Sequence, residues 1–341
     1  MQTSTAVNRA MRNIRSEKDR DSDPSEPIRV WIDKDRTPDG VGSSLTIVFN
    51  TDGCRWARAG GCTMCGYVGE AAEGSVTESA LLEQLDAALE HERREGEKAD
   101  NVKIYTSGTF FDRREIPPEA RRRILDEFSD RRVVVESLPD FVEADVVSDA
   151  VDRVRSLDVA VGLETADDHV RRECVNKYFE YDEFERAASV ARRCDAGVKT
   201  YLLMKPPFLS EREALEDAVE STRKASEESH TVSVNPCNVQ RYTMVDHMHY
   251  RGGYRTPWLW SVVELLRRTA EEDAIVVSHP VAPGGDRGAH NCGECDDDVY
   301  RAIERYDESG DVDVFEGLDC TCRSQWREVL ERETAWNMPL A

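Results

Sequence analysis

The chain reads as an α/β protein, a partial (βα)6 or near-closed TIM-type barrel with a small C-terminal cysteine-rich metal-binding extension. Three observations lead there. Short apolar runs rich in β-branched residues recur along the chain: SSLTIVFNT (43–51), NVKIYTSG, RRVVVES, LDVAVGLET, VKTYLLMK, HTVSVNP and AIVVSH. Helical stretches separate them, and this alternation builds parallel βαβ units. The length of 341 residues, 39% of them hydrophobic, suits one barrel with a small appendage. Six units with a seventh strand favour a barrel, although the pattern leaves a doubly wound sheet open. In both topologies the chemistry gathers at the C-terminal ends of the strands.

Each element has its own signal. Residues 1–28 are polar, rich in Arg, Asp and Ser, and read as a flexible tail. The first strand ends at a cysteine loop. In ESALLEQLDAALEHERREG, Leu81, Leu82, Leu85, Ala88 and Leu89 repeat at helical spacing, and Gly96 closes the helix. PPEARRRILDEFS begins with prolines suited to a first helical turn. The later crossovers are ADVVSDAVDRVRS, YDEFERAASVARRCDAG, SEREALEDAVESTRKASEES and TPWLWSVVELLRRTAEED. The expected divisions are the tail, a barrel over 29–280 and the extension over 281–341.

The net charge is −23, with acidic residues spread along the whole chain. That distribution suits a halophilic cytoplasm, where screening lengths fall to about 3 Å at molar salt. It gives no positive support for a nucleic-acid partner and does not exclude one. Most of the short basic clusters, Arg121–Arg123, Arg131–Arg132, Arg171–Arg172 and Arg192–Arg193, read as solvated helix faces. No apolar run reaches the roughly 18 residues of a membrane span, and the N-terminal residues lack the apolar core of a secretion signal. A cytoplasmic protein without membrane contact is expected.

Ten cysteines in a reducing compartment point to metal or chemistry rather than disulfides. Cys174, Cys194 and Cys237 stand alone and read as small buried hydrophobes. Cys54, Cys62 and Cys65 lie in NTDGCRWARAGGCTMCGYVGE (50–70) with C-x7-C-x2-C spacing. Gly53, Gly60, Gly61 and Gly66 free that backbone to wrap a cluster. Clustered thiolates select zinc or iron–sulfur, and a [4Fe–4S] cluster takes four cysteines, so three leave one iron open. A zinc ion with a distant fourth ligand is the alternative. Further on, HNCGECDDDV and GLDCTCRSQW pair Cys292 with Cys295 and Cys320 with Cys322 across the helix DDDVYRAIERYDES. Four paired thiols favour closed structural Zn2+ over an auxiliary iron–sulfur cluster. His279 and His290 flank the pairs in supporting or loop roles.

The loop after strand one, followed by YTSGTFFD, VVVESLPDFV and VAVGLETADD at later strand ends, resembles the radical-SAM enzymes. The resemblance implies that S-adenosyl-L-methionine ligates the open iron and is cleaved to a radical. It places Ser107, Gly108 and Thr109 at the methionine amino group and Glu136 and Glu164 at the ribose or amino group. The chain departs from the family in two places. Seven residues separate the first two cysteines where three are common, and Met64 replaces the aromatic beside the adenine, a contact for which Tyr67 is the candidate.

Within that family, GGCTMCGY, ESLPDFV, GLETADDHVRRECVNK, LLMKPPFLSE and VNPCNVQRYT resemble the elongator-like branch, and in it the radical-SAM subunit of archaeosine synthase. This implies a tRNA-modifying C–N lyase. Its substrate is tRNA whose deazaguanine base at position 15 carries a lysine adduct made by a partner, the lysine-transferring alpha subunit. A 5′-deoxyadenosyl radical would take hydrogen from the lysine carbon beside the linking nitrogen, and bond cleavage would leave archaeosine. A reductant protein such as ferredoxin or flavodoxin would supply electrons. Lys205, Asn235, Asn238 and Gln240 stand at late strand ends as substrate-binding candidates, and Arg241 and Tyr242 could meet RNA. No residue stands out as catalytic. The alternatives are another radical-SAM tRNA modifier and a non-catalytic, zinc-stabilised nucleic-acid-binding adaptor.

Overall fold

The computed structural model describes residues 4–16, 22–72, 76–96 and 98–333. Helix α1 (Thr5–Arg15), capped by Ser4, precedes an antiparallel hairpin of β1 (Arg29–Thr37) and β2 (Gly40–Val48). Next come α2 (Arg55–Ala59), α3 (Glu78–Glu95), β3 (Asn101–Tyr105), α4 (Pro118–Glu127), β4 (Arg132–Glu136), α5 (Ala144–Val151) and β5 (Ser156–Glu164). The short α6 (Asp168–Val170) runs into a π-helical turn, Arg171–Val175. Then follow α7 (Tyr181–Arg193), β6 (Gly197–Met204), α8 (Glu211–Glu228), β7 (Thr231–Pro236), α9 (Met244–Tyr250), α10 (Leu259–Arg268) and β8 (Ile275–Val277). Helices α11 (Asp296–Ser309) and α12 (Cys322–Arg332) end the series. Among the described residues no helix is long and apolar enough to cross a membrane.

All seven expected strands are present as β2–β8, joined by the expected helices. They form one sheet in the unbroken order β1 to β8, parallel from β2 onward. A doubly wound sheet reverses its strand order at a switch point, and this one does not. The sheet is therefore a curled, partial barrel. No ladder joins β1 to β8; instead Arg36 of β1 donates to the Val276 carbonyl of β8 at 3.0 Å. A guanidinium bridges the seam that hydrogen-bonded strands would otherwise close.

Strand β1 is an element the sequence analysis missed. Its charges explain both the omission and its place. Successive strand side chains point to opposite faces. Asp33 meets Lys103 of β3 at 2.9 Å, while Asp35 lies 3.6 Å from Lys103 and 3.9 Å from Lys199 of β6. Burial would raise the Asp35 carboxyl, but Lys199 and Lys103 outweigh it and hold it below its ordinary range. Lower in the bowl, Arg132 pairs with Asp158 at 2.8 Å. The strands are thus apolar toward the helices and polar toward the concave face, and not apolar on both faces as their short runs suggested. The basic clusters are corrected too: Arg121, Arg131, Arg132 and Arg171 are buried rather than set on solvated faces.

The apolar layer between sheet and helices is continuous. It includes Leu81, Leu85 and Ala88 of α3 and extends to Ile303, Tyr306, Phe315 and Trp326. The cysteine-rich extension therefore shares the barrel's core. At the other end, the segment expected as a flexible tail contains α1, which buries Met11 and Ile14. Its polar composition hid a helix whose partner is a loop and not the main core.

The Asp35 arrangement is testable. Asp35→Ala removes the carboxylate paired with Lys199 and leaves that buried ammonium with only the more distant charges of Asp158 and Asp33. Breaking a buried pair in this way typically costs about 3–5 kcal/mol. Urea unfolding should show a clearly lowered midpoint. A loss below about 1 kcal/mol, the size of a surface pair, would mean the concave charges are effectively solvated.

Candidate active site and metal centres

The loop after β2 carries Cys54, Cys62 and Cys65, and its irregular backbone needs donors from elsewhere. Arg15 of α1 supplies them. Its guanidinium donates to the carbonyls of Ala57 (3.1 Å), Cys62 (3.0 Å) and Cys65 (3.0 Å), and also to that of Gly60. Gly60 (φ +153°) and Gly61 (φ +78°) have the conformations that glycine permits, and α1 packs directly on them: a Cβ on Gly60 would sit 2.7 Å from the Asn8 Cα. On the other side Asn176, itself left-handed, donates to the Gly61 carbonyl at 2.9 Å. The Thr63 N–H donates to Val175 O at 2.9 Å and its hydroxyl to Cys174 O at 2.7 Å, so the π-helical turn clamps the loop.

Burial pushes the Cys54 thiol up to about 11 and raises Cys62 and Cys65 as well. Burial of this kind disfavours the free thiolate, which a bound metal would favour. The three sulfurs do not gather within the 4.8 Å that unites the C-terminal four.

Beside them lies the rim of later strand ends. The Ser107 hydroxyl is buried without a partner. Gly108 has no room for a side chain, since a Cβ would stand 2.7 Å from the Cys54 Cα. Thr109 is committed internally: its N–H donates to Glu115 at 2.9 Å and its hydroxyl to Ser137 at 2.8 Å. Glu115, pushed up to about 7 by burial, also accepts from Thr51 at 2.9 Å and so ties the β2 loop to the β3 loop. Glu164, with a left-handed φ of 68°, meets Lys177 at 2.7 Å. Glu136 accepts no side-chain hydrogen bond among the described residues; burial, with Glu164 close by, pushes it up to about 8. Met64 packs against Cys237 and Val239, while Tyr67 is exposed. An orphan hydroxyl, an open carboxylate and bare backbone beside three thiols form a donor set that fits a cluster with an amino-bearing ligand next to it.

The second cysteine group is compact. Cys292, Cys295, Cys320 and Cys322 place all four sulfurs within 4.8 Å of one another, with 3.6 Å between Cys292 and Cys320 and between Cys295 and Cys322. A tetrahedron of about 2.3 Å zinc–sulfur bonds has edges of roughly 3.8 Å. Trp260 Nε1 and Asn291 Nδ2 each donate to a sulfur at 3.3 Å, Cys322 and Cys295 respectively. His279 pairs with Asp307 and His290 with Thr256, so neither joins the thiols.

No protein-family model matches the chain. It is 38% identical to archaeosine synthase subunit beta of Methanosarcina acetivorans over 339 residues, which cover 96% of this chain and 97% of that one. The chain belongs to the archaeosine synthase subunit beta family. A second member, from Thermococcus kodakarensis, is 36% identical over 315 residues, 89% of this chain and 97% of its own. Among solved structures, the archaeal Elp3 of Methanocaldococcus infernus, with an N-terminal deletion, superposes with a TM-score of 0.50 at 17% identity. The match spans 70% of this chain and 59% of that one. The resemblance to the elongator-like radical-SAM branch is borne out in the fold.

In this member of the archaeosine synthase beta family, two of the expected substrate contacts have internal partners. Lys205 is buried, and its ammonium meets Glu211 at 2.7 Å. The Gln240 carbonyl accepts from Gly66 N–H at 2.6 Å, so this residue positions the cysteine loop. Both sit at strand ends, as a substrate contact would, but their partners are internal. Asn235 accepts from His279 N–H at 3.1 Å and Asn238 from Gln240 at 3.4 Å, leaving their amide nitrogens without partners among the described residues. Sequence reasoning missed Arg15, Glu115, Asn176 and Lys177, because no motif marks a residue whose role is set by a distant loop.

Arg15 gives the sharpest test. Arg15→Ala should sharply lower iron incorporation at the loop, read as iron per chain and visible absorbance. Arg15→Lys should restore only part of it, since an ammonium cannot match the fork of a guanidinium. Full incorporation in Arg15→Ala would show that the loop holds its shape without α1.

Proposed function

We propose that this chain is the radical-SAM lyase subunit that completes archaeosine on tRNA. In this reading it cleaves the C–N bond of the lysine adduct on the position-15 deazaguanine, and the alpha subunit installs that adduct. The observation that carries the reading is the loop after β2, where three partly buried cysteines sit in the loop against Gly108, beside the unpartnered Ser107 and near the strand end that carries an open Glu136. Membership of the archaeosine synthase beta family supports the choice of substrate.

Cys54, Cys62 and Cys65 would hold a [4Fe–4S] cluster, and with S-adenosylmethionine bound this supplies a radical able to take a hydrogen atom. Glu136 would accept from the cofactor's amino or ribose groups. The Lys177 ammonium, held by Glu164 and the Gly162 carbonyl, would balance negative charge near Cys62. The amide nitrogens of Asn235 and Asn238 remain as donors toward the substrate. The surrounding rim would keep water and stray hydrogen donors from the reacting carbon. The four C-terminal thiols would hold Zn2+ in a closed site with no open position. A ferredoxin or flavodoxin would deliver the electron in the cytoplasm.

Anaerobic reconstitution should give about four irons on the N-terminal loop, and Cys62→Ala should lose them. With reductant, S-adenosylmethionine and tRNA carrying the lysine adduct, the protein should release 5′-deoxyadenosine and form archaeosine. Cofactor cleavage without conversion of the base would indicate a modifier of another position. An intact cluster that never cleaves the cofactor would favour the adaptor.

A separate expectation concerns the closed site. Cys295→Ser should lower the melting temperature while cofactor cleavage persists in whatever stays folded. A second iron–sulfur signal that disappears in this variant would overturn the zinc assignment.

A further inference from the structure

We propose that RNA docks on the surface shared by α1 and α9, immediately outside the cysteine loop. This rests on the reading of the substrate as RNA and adds the face that receives it. The chain carries 68 acidic residues against 45 basic ones, so most of its surface repels phosphate. Two segments break that pattern. Over residues 5–15 and 237–258 there are six arginines and a single acid, Asp246. That acid is already paired, with Arg287 at 2.7 Å.

The fold brings these two segments together. Asn13 and Ile14 of α1 and Met244, Met248 and Arg251 of the α9 region line one groove. Arg9, Arg241 and Arg251 are exposed and make no ion pair among the described residues, so their charge is free to meet a partner. Tyr250 at the end of α9 is 91% exposed, an aromatic ring open to solvent and next in sequence to Arg251 of the groove. Phosphate contacts from arginine and stacking on aromatic rings are the two means by which proteins hold unpaired RNA.

The groove borders the site directly. Arg12 donates to the Ala59 carbonyl at 2.5 Å, and Met244 N–H donates to the Thr63 carbonyl at 3.0 Å. A backbone held along α1 and α9 therefore passes beside the loop bearing the three thiols. Charge complementarity selects the occupant: a polyanion, here the sugar-phosphate backbone of tRNA.

The test compares two triple charge reversals by fluorescence anisotropy with a labelled tRNA transcript. One is Arg9→Glu/Arg241→Glu/Arg251→Glu. The other is Arg93→Glu/Arg94→Glu/Arg123→Glu, with the same change in net charge on α3 and α4. The α1–α9 reversal should weaken binding by roughly tenfold or more and lower the salt slope by about one for each arginine that no longer meets a phosphate. The control should stay within about twofold, the spread of an uninvolved surface change. Cofactor cleavage without RNA checks that the variants are intact, and the single Arg251→Glu, which touches no part of the cysteine loop, repeats the comparison if the triple fails to fold. Equal loss in both triples would reduce the effect to net charge and overturn the assignment. Unchanged affinity in the α1–α9 reversal would overturn it too, and would leave the face to a protein partner. A wild-type protein that cleaves the cofactor yet does not bind tRNA would sink the RNA reading itself, and this face with it.

Discussion

Four carbonyl oxygens of one loop converge on the Arg15 guanidinium, and the site depends on that convergence. A short irregular loop that carries three cysteines within twelve residues cannot satisfy its own backbone through regular structure. Buried carbonyls without donors cost about 1–3 kcal/mol each. A single planar guanidinium with five donors answers several at once, which an ammonium could not do. Once Arg15 is needed, α1 must lie against the loop, and Gly60 and Gly61 must lack side chains to let it approach. The positive charge also lowers the cost of ionising Cys65, against the burial that raises it.

The concave face follows a related logic from bottom to top. At its base Arg132, Asp158 and His230 satisfy one another, and above them Asp35 lies between Lys103 and Lys199. These layers form a floor of compensated charge. At the rim the compensation stops: Glu164 has Lys177, but Glu136 has nothing comparable and Ser107 has no partner. Buried polar groups in native structures are nearly always paired, so unpaired ones need an explanation, and at this rim a bound ligand would supply one. Left-handed backbone occurs at two of these strand ends, Glu164 and Lys205, and in the connecting segments at Asn176 and Tyr242.

Much of this was legible in the chain and some was not, for physical reasons. Strands β2–β8 and their crossover helices announce themselves because each has an apolar face toward one core. Cys54, Cys62, Cys65 and the two later pairs are legible because ligand spacing is local. Strand β1 was hidden because its inward residues are acids whose partners lie far along the chain, Asp33 with Lys103 for one. Helix α1 was hidden because it serves a loop and buries little apolar surface. Lys205 read as a strand-end donor, yet Glu211, six residues on, claims its charge. Spacing reveals which residues can share a metal; it does not reveal which carbonyl needs a donor.

The closed cysteine site and the open one are also linked through the fold. Cys322 begins α12 and accepts from Trp260 of α10. Four residues further along α12, Trp326 donates to Ser261 at 2.8 Å, and Ser261 donates to the buried Glu211. Glu211 in turn takes the Lys205 ammonium, whose own carbonyl accepts from Tyr254 at 2.7 Å. A metal that fixes Cys322 therefore fixes the helix carrying Trp326, and through it a polar chain ending where β6 opens into the bowl. The chain is buried throughout, and partly satisfied buried networks are worse than none, so its members hold together or fail together. A metal held by these four thiols would thereby help to hold the mouth in shape, which would give a closed metal site a reason to be fused to this core.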